Sequence, residues 1–147
     1  DAPCSGEGMF RKNPVSIDEW SLANVENCVV RQRKIISEVW DTLKTAGILV
    51  YSTCTYNREE NEANIGWICE ELGAEILRMD IHNFHGIQET EGGYRFFPHK
   101  IKGEGFFISV LRKTSPTPQK NGKIKRIKKK SEERIKTDIG IKLLEPE

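Results

Sequence analysis

Two segments of the chain carry the residues best suited to chemistry. The segment 51–56 reads Tyr-Ser-Thr-Cys-Thr-Tyr and follows the apolar run 47–50, so Cys54 is expected where a buried strand ends. Cys4 lies in a similar turn within the segment 1–8, Asp-Ala-Pro-Cys-Ser-Gly-Glu-Gly. Ligands of open α/β sheets bind beyond the carboxyl ends of the strands. Two such cysteines, with no disulfide pattern around them, indicate thiol chemistry on a substrate.

The other two cysteines, Cys28 and Cys69, fall on the apolar faces of predicted helices and are interpreted as small buried residues. No Cys-x-x-Cys pair or Cys/His cluster has the spacing of metal ligands, so no metal is expected. The sequence opens with no signal peptide, and no apolar run approaches the roughly 18 residues of a membrane span. These features predict a cytoplasmic protein, in a reducing environment, without a membrane partner.

The charge is unevenly distributed over the 147 residues, a length typical of about one domain. Residues 1–111 carry 11 basic and 17 acidic side chains, whereas residues 112–147 carry 12 basic and 5 acidic ones. The basic segment 120–136 is expected to add sequence-independent affinity for RNA, because clustered cations attract phosphates. A solvated linker is the alternative interpretation of the same segment.

Hydrophobic periodicity predicts an alternation of helices and strands. A capping box at 16–19 is expected to open a long helix with apolar positions from Val25 to Leu43, and a second helix is predicted over 59–72. Strands are predicted at 48–51, 74–81, 94–97 and 106–112. The fold class is therefore α/β, the second half of a doubly wound sheet. We expect 48–51 to be a central parallel strand and 106–112 to run antiparallel to its neighbour.

Several polar and aromatic residues receive structural interpretations. Glu59, Glu60 and Glu62 form a favourable charge pattern at a helix start. Trp20 and Trp40 are expected in the core. Arg95 either contacts RNA or covers the aromatic hairpin near the end of the predicted sheet.

Three motifs resemble those of the RNA cytosine-C5 methyltransferases of the Sun/Fmu group. They are Tyr-Ser-Thr-Cys-Thr at 51–55, Asp-Ala-Pro-Cys-Ser-Gly at 1–6, and Arg-Phe-Phe-Pro-His at 95–99 with Gly-Glu-Gly-Phe-Phe at 103–107. The matches occur in the family's order and spacing through nearly all of residues 1–113. The continuation Gly6-Glu7-Gly8, with Arg11 and Lys12, is most similar to the bacterial F-type enzymes that act on small-subunit ribosomal RNA.

The resemblance implies a Rossmann-like methyltransferase fold with an antiparallel edge strand. It also implies S-adenosylmethionine as cofactor and RNA as partner, with ribosomal RNA favoured and transfer RNA as an alternative. Residues 1–113 would be the C-terminal part of the catalytic domain, 114–136 a basic linker and 137–147 the possible start of a further domain. The implied reaction is methyl transfer to carbon 5 of cytosine through a covalent cysteine adduct at carbon 6.

The resemblance also implies roles for individual residues. Cys54 would be the nucleophile, and Cys4 would assist when the 5-hydrogen leaves and the adduct breaks. Asp1 would hydrogen-bond the cytosine ring edge, and Pro3 would shape the loop beside the base; both would also contact the cofactor. Arg11 and Lys12 would hold phosphates that flank the target. These roles require Cys4 and Cys54 to meet in one cleft, although 50 positions separate them.

One departure from the family pattern concerns the cofactor. The family's Gly-rich loop, acidic strand end and base-facing lysine lie on earlier strands, and the chain has no such Gly-rich loop. The chain alone is therefore expected to be inactive. Two alternatives stay open: a DNA cytosine-C5 methyltransferase, in which Cys4 would be the nucleophile, and a non-catalytic RNA-binding module.

Overall fold

A sheet of five strands, with helices packed against it, forms the part of the chain that the computed structural model describes, residues 1–116. The helices are α1 (Val15–Glu19), α2 (Leu22–Trp40) and α3 (Glu62–Trp67), with a 3-10 turn at Glu7–Met9 and a π-helical continuation of α3 at Ile68–Gly73. The strands are β1 (Ile48–Thr53), β2 (Ala74–Ile76), β3 (Ile87–Glu89), β4 (Tyr94–Phe96) and β5 (Phe106–Lys113).

The long helix α2 begins later than the capping-box pattern predicts. Ser16 lies inside the short helix α1, which ends where Trp20 turns extended at φ −74° and ψ 136°. The N-cap of α2 is Ser21, whose Oγ accepts a hydrogen bond from the backbone N–H of Asn24 at 3.1 Å. The predicted capping box is therefore wrong, because the chain changes direction at Trp20 before the long helix starts.

The centre of the described sheet is β5. It pairs with β1 along its length, from Ile48 opposite Arg112 to Thr53 opposite Phe107, and its other edge pairs with β4 and β2. The prediction of an antiparallel strand at 106–112 is confirmed. Every pairing among the described strands is antiparallel, so the prediction that 48–51 is a central parallel strand is wrong.

The physical reason lies in how β1 is buried. Ile48 and Val50 expose 47% and 53% of their surface, whereas Tyr51 and Thr53 are buried. The apolar run at 48–51 suggests a strand buried on both faces, but in the described residues it has one partner strand and one covered face. The predicted strand 74–81 is also shorter than expected, since β2 ends at Ile76.

The hydrophobic core lies between α2, α3 and the sheet. It consists of seven buried side chains: Ile36, Trp40, Tyr51, Ile65, Ile68, Phe107 and Leu111. Alternate residues of β5 point into this core, as the period of a strand with one covered face requires. Packing of its side chains in the core holds β1 in place, in addition to its hydrogen bonds with β5. Cys54 directly follows β1.

A buried lysine joins the end of β5 to the end of α2. Lys113 is 1% exposed, and its Nζ donates to the carbonyls of Trp40 at 2.7 Å and Leu43 at 3.0 Å. The last carbonyls of a helix have no partner within the helix and carry partial negative charge, so a cation there is favourable. Lys113 thus satisfies the C-terminal end of α2.

We expect Lys113→Met to lower the free energy of unfolding by about 2–4 kcal/mol, because it removes two hydrogen bonds that a buried charged group donates. Urea denaturation followed by circular dichroism measures this. Arg112→Met is the matched control, because its ion pair with Glu75 is about half exposed and contributes at most about 1 kcal/mol. Equal losses in the two variants would contradict the role given to Lys113.

Candidate active site

The two cysteine segments meet at the end of β1. The backbone N–H of Ala2 donates to the carbonyl of Ser52 at 2.8 Å, and that of Gly8 donates to the carbonyl of Cys54 at 2.7 Å. The loop 1–8 is thereby joined to β1 and to the residue that follows it. The Sγ atoms of Cys4 and Cys54 lie 3.3 Å apart, and both thiols are free. The prediction that the two thiols share one cleft is confirmed.

The two thiols differ in acidity. A hydrogen bond from the Cys4 thiol lowers the pKa of Cys54 to about 7, against the opposing effects of burial and of the charges on Glu60 and Glu104. The same hydrogen bond, together with burial, raises the pKa of Cys4. The proton of this hydrogen bond is assigned to Cys4, because the bond and burial raise the pKa of Cys4 while the same bond lowers the pKa of Cys54. Cys54 is therefore the thiolate of the pair near neutral pH.

A helix dipole does not explain the acidity of Cys54. The sequence suggests that Cys54 precedes a helix N-terminus, but α3 begins at Glu62, eight residues later. The effect of a helix end is confined to its first turn. The neighbouring thiol of Cys4 takes this role instead.

Alkylation of Cys54 by iodoacetamide should accelerate as pH rises and reach half its plateau rate near pH 7, because the thiolate is the reactive form. In Cys4→Ala the stabilising hydrogen bond is absent, so the midpoint should move up to about 8.5 or higher. Peptide mass spectrometry over a pH series gives these rates. Cys28 and Cys69 are internal controls, since burial raises their pKa values. An unchanged midpoint in Cys4→Ala would refute the proton assignment.

A buried carboxylate holds the two cysteine loops together. Glu60 is fully buried, and its carboxylate accepts from the backbone N–H of Ser5 at 3.1 Å, Gln32 Nε2 at 2.6 Å and Asn57 Nδ2 at 2.7 Å. Its backbone carbonyl accepts from the hydroxyl of Tyr51 at 2.7 Å. The interpretation of Glu60 as part of a charge pattern at a helix start is wrong, since Glu60 precedes α3 and is engaged in buried hydrogen bonds. Its donors come from the Cys4 loop, from α2 and from the Cys54 loop.

A second buried carboxylate fixes the chain after Cys54. Glu62 pairs with the guanidinium of Arg95, from which Nη1 also donates to the carbonyl of Tyr56 at 2.6 Å. The side chains of Glu62 and Arg95 are only 3% and 12% exposed. Arg95 therefore positions the loop 54–57 from inside the protein. Of the three glutamates at 59, 60 and 62, Glu59 alone is exposed.

Two glycines allow three loops to pack closely beside Cys54. A Cβ on Gly8 would lie 2.7 Å from the carbonyl oxygens of both Cys54 and Gly105. A Cβ on Gly105 would lie 2.1 Å from the ring of Tyr56. Real Cβ atoms do not approach other atoms this closely, so a side chain at Gly8 would clash with backbone, and one at Gly105 would displace the ring of Tyr56. The third sequence motif, which contains Gly105, therefore forms part of the same site.

The other residues predicted for the site lie around the thiols. Asp1 is exposed, and its carboxylate accepts from Ser52 Oγ at 3.4 Å. Pro3 is exposed, and its carbonyl accepts from Gln32 Nε2 at 2.9 Å. Both belong to the loop that carries Cys4.

Arg11 and Lys12 lie on the far side of that loop and contact the segment 103–104. Arg11 Nη2 donates to the carbonyl of Gly103 at 2.9 Å, and Lys12 forms an ion pair with Glu104. Both side chains are exposed. The structure thus brings Cys4 and Cys54 into contact, keeps Asp1 and Pro3 on the same loop, and places Arg11 and Lys12 at the periphery.

A cavity of about 450 Å³ opens beside the Cys54 loop. Its lining consists of Glu7, Gly8, Phe10, Arg11, Trp20, Tyr56 and Pro98. Trp20 is only half buried, and its Nε1 donates to Glu7 Oε1 at 3.0 Å, so the interpretation of Trp20 as a core residue is wrong. Trp40 is buried in the core, as predicted. Nothing in the sequence around Trp20 distinguishes a cavity wall from a core position.

Residues 1–116 contain no group of three or more His, Cys, Asp or Glu side chains arranged to hold a metal ion. None of the helices over the same residues is both long and apolar enough to cross a membrane.

Comparison with known proteins decides the family. The family model described as 16S rRNA methyltransferase RsmB/F matches residues 1–112. The chain belongs to this family. Within the RsmB/F family, the ribosomal RNA small subunit methyltransferase F of Shigella flexneri serotype 5b is 41% identical over 122 residues, which are 80% of this chain and 26% of the relative. The chain spans about a quarter of the length of such relatives.

Solved structures show the same family fold. NSun6 from Pyrococcus horikoshii, solved with SFG, superposes on this chain with a TM-score of 0.66 and is 36% identical to it. The superposed part is 78% of this chain and 29% of the NSun6 chain. A methyltransferase homologue from Pyrococcus horikoshii superposes with a TM-score of 0.62 and is 28% identical. The superposed part is 77% of this chain and 37% of the homologue's chain. The described residues of this RsmB/F family member therefore have a Rossmann-like methyltransferase fold, with the antiparallel β5 predicted from the sequence.

Proposed function

We propose that residues 1–113 form the C-terminal part of the catalytic domain of a cytoplasmic RNA methyltransferase. In this proposal the enzyme transfers a methyl group from S-adenosylmethionine to carbon 5 of a cytosine in small-subunit ribosomal RNA. The observation that carries it is the contact of the Cys4 and Cys54 thiols, 3.3 Å apart, at the end of β1 in a chain of the RsmB/F family. The names of the relatives support ribosomal RNA as the substrate class.

The chemistry explains why two thiols of different acidity are useful. Carbon 5 of cytosine is a poor nucleophile. When the Cys54 thiolate forms a bond to carbon 6, electron density moves to carbon 5, which can then take up an electrophilic methyl group. Removal of the 5-hydrogen as a proton restores the ring double bond and expels Cys54 as a thiolate. Because Cys54 is the thiolate near pH 7, it is suited to the attack.

Cys4 is suited to the later half of the reaction. Its raised pKa keeps its proton in place while Cys54 attacks, and its sulfur lies beside the bond that must break. We assign it to loss of the 5-hydrogen and release of the adduct: once Cys54 is bonded to carbon 6, Cys4 loses its own proton to solvent, and its thiolate accepts the 5-hydrogen as a proton while the bond between carbon 6 and Cys54 breaks. Asp1, at the start of the same loop, presents an exposed carboxylate for the edge of the cytosine ring.

S-adenosylmethionine, when bound, would supply the methyl group. Within the described residues we assign its contacts to Asp1 and Pro3, whose exposure on the loop beside β1 fits contact with a ligand on that side. The cytosine must leave its helical stack to reach thiols in a cleft. Arg11 and Lys12 are assigned to flanking phosphates, in exchange for their present contacts with Gly103 and Glu104.

The test uses the full-length protein, S-adenosylmethionine with an isotopically labelled methyl group, and either small-subunit ribosomal RNA or transfer RNA. After nuclease digestion, mass spectrometry should find the label in 5-methylcytidine from the ribosomal RNA. Label in another nucleoside would refute the proposed chemistry, and label in transfer RNA alone would refute the substrate. A protein that binds RNA but transfers no label would favour an RNA-binding module.

A further inference from the structure

The cavity beside the Cys54 loop shares its walls with the candidate active site. Gly8 lines the cavity and donates from its backbone N–H to the carbonyl of Cys54 at 2.7 Å. Tyr56 lines it two residues after Cys54. A volume of about 450 Å³ lies within the usual range for sites that hold small molecules or parts of larger ligands. A group bound there is therefore next to the group on which the thiols act.

Three of the seven residues that line the cavity are aromatic: Phe10, Trp20 and Tyr56. Phe10 and Trp20 pack edge to face with centroids 6.5 Å apart, and Tyr56 stacks on Phe97 with centroids 5.6 Å apart and planes 21° apart. Pro98 adds a further apolar surface. Aromatic rings have flat, apolar faces, and three such rings line the cavity. Such faces are what unstacked bases of single-stranded RNA stack on.

The charged residues of the cavity also suit a nucleotide. Both carboxylate oxygens of Glu7 are engaged within the protein, by Trp20 Nε1 at 3.0 Å, Asn57 Nδ2 at 3.2 Å and the backbone N–H of Tyr56 at 2.7 Å. Arg11 lines the cavity and is exposed, and its bond to Gly103 uses one of its five N–H donors. The cavity thus combines an apolar interior with a cation at its edge.

We propose that this cavity binds one unpaired nucleobase of the RNA, from the nucleotide directly 5′ or 3′ of the target cytosine. The base stacks on the ring of Phe10 and packs against Trp20 and Tyr56, since the rings of Phe10 and Trp20 are 87° apart and cannot both lie parallel to it. Arg11 contacts its phosphate. The inference rests on the proposed function, because it takes the thiols to mark the position of the target. It makes these aromatic residues determinants of which RNA site is accepted.

The test measures binding of the full-length protein to an RNA oligonucleotide that contains the methylated site. Two further oligonucleotides carry an abasic residue directly 5′ or 3′ of the target cytosine. For the wild-type protein, one of these two substitutions should weaken binding by about 5- to 100-fold, the effect of losing one stacked base. The Phe10→Ala protein should bind the same abasic oligonucleotide less than about twofold more weakly than the unmodified one, because the stacking partner is already absent.

Phe84→Ala is the matched control, since Phe84 is 62% exposed and does not line this cavity. It should keep the full wild-type response to the abasic residue. If Phe10→Ala does not fold, Phe10→Leu and Trp20→Leu take its place, since both keep an apolar side chain and remove the ring. An equal abasic effect in the wild-type protein and in the cavity variants would overturn the proposal, as would no effect at either position.

Methylation of the unmodified oligonucleotide by the wild-type protein separates this proposal from the proposed function. If 5-methylcytidine forms while the abasic effects do not depend on the cavity residues, only the base-binding proposal fails. If no methyl group is transferred to any RNA, the proposed function fails, and the base-binding proposal fails with it.

Discussion

Replacing Cys54 with alanine in the full-length protein is expected to lower the rate of RNA methylation by roughly 10⁴- to 10⁶-fold, the scale of losing a covalent nucleophile. Without the thiolate no bond forms at carbon 6, and carbon 5 stays unreactive. No protein–RNA adduct should then appear on a denaturing gel. Cys28→Ala is the matched control, since it removes a partly buried thiol from α2 and should keep activity near the wild-type level.

Cys4→Ala should behave differently from Cys54→Ala. The adduct should still form, although more slowly at neutral pH because the pKa of Cys54 rises when the hydrogen bond from Cys4 is lost. Its breakdown should be slow, so a covalent protein–RNA complex should accumulate on a denaturing gel when RNA and cofactor are present. A stable adduct from Cys54→Ala instead would reverse the two roles and favour the DNA-type assignment, in which Cys4 is the nucleophile.

Glu60→Ala is expected to lower the free energy of unfolding by about 3–5 kcal/mol, measured by urea denaturation. The substitution leaves the buried Ser5 N–H without its acceptor. It also removes the charged acceptor of Gln32 Nε2 and Asn57 Nδ2, which keep Pro3 and Glu7 as partners. An unsatisfied buried donor costs about 1–3 kcal/mol, a lost hydrogen bond to a charged group about 1.5–3 kcal/mol, and local rearrangement recovers part of the total. Loosening of the Ser5 contact should also slow methylation, because the Cys4 loop loses one of its attachments to the Cys54 loop.

Glu59→Ala is the control for this experiment. Glu59 is adjacent in sequence and carries the same charge, but it is exposed, so its loss should change the free energy of unfolding by at most about 0.5 kcal/mol. Similar losses in the two variants would show that the destabilisation comes from the local charge. The buried hydrogen bonds of Glu60 would then not be its cause.

The meeting of the two thiols could be predicted from the sequence because it depends on local patterns. An apolar run followed by Thr53 and Cys54 marks a strand end, and the turn around Cys4 resembles a second one. The antiparallel direction of β5 could be predicted, whereas the edge position of β1 in the described sheet could not, because the apolar residues of β1 suit either a central or an edge strand. Which of them are exposed depends on elements distant in sequence, as the exposed Ile48 and Val50 show.

The supporting residues escaped prediction for a related reason. The string at 58–62, Arg-Glu-Glu-Asn-Glu, has the composition of a solvated helix start, and only tertiary contacts distinguish the buried Glu60 from the exposed Glu59. The acidity of Cys54 likewise depends on Cys4, which is 50 positions away. Trp20 resembles a core residue until the packing of Phe10 and Glu7 against it is known.

The six-residue register of β1 against β5 also limits how the length of this segment can vary. Successive side chains of a strand point to opposite faces. Inserting or deleting one residue between Ile48 and Thr53 would therefore move every side chain that follows it in the strand to the other face of the sheet. Tyr51 would leave the core, and Cys54 would be carried away from Cys4. Sequence change in β1 can therefore proceed by substitution at the exposed positions, whereas single-residue insertions and deletions would separate the thiols even if every residue type at the site were kept.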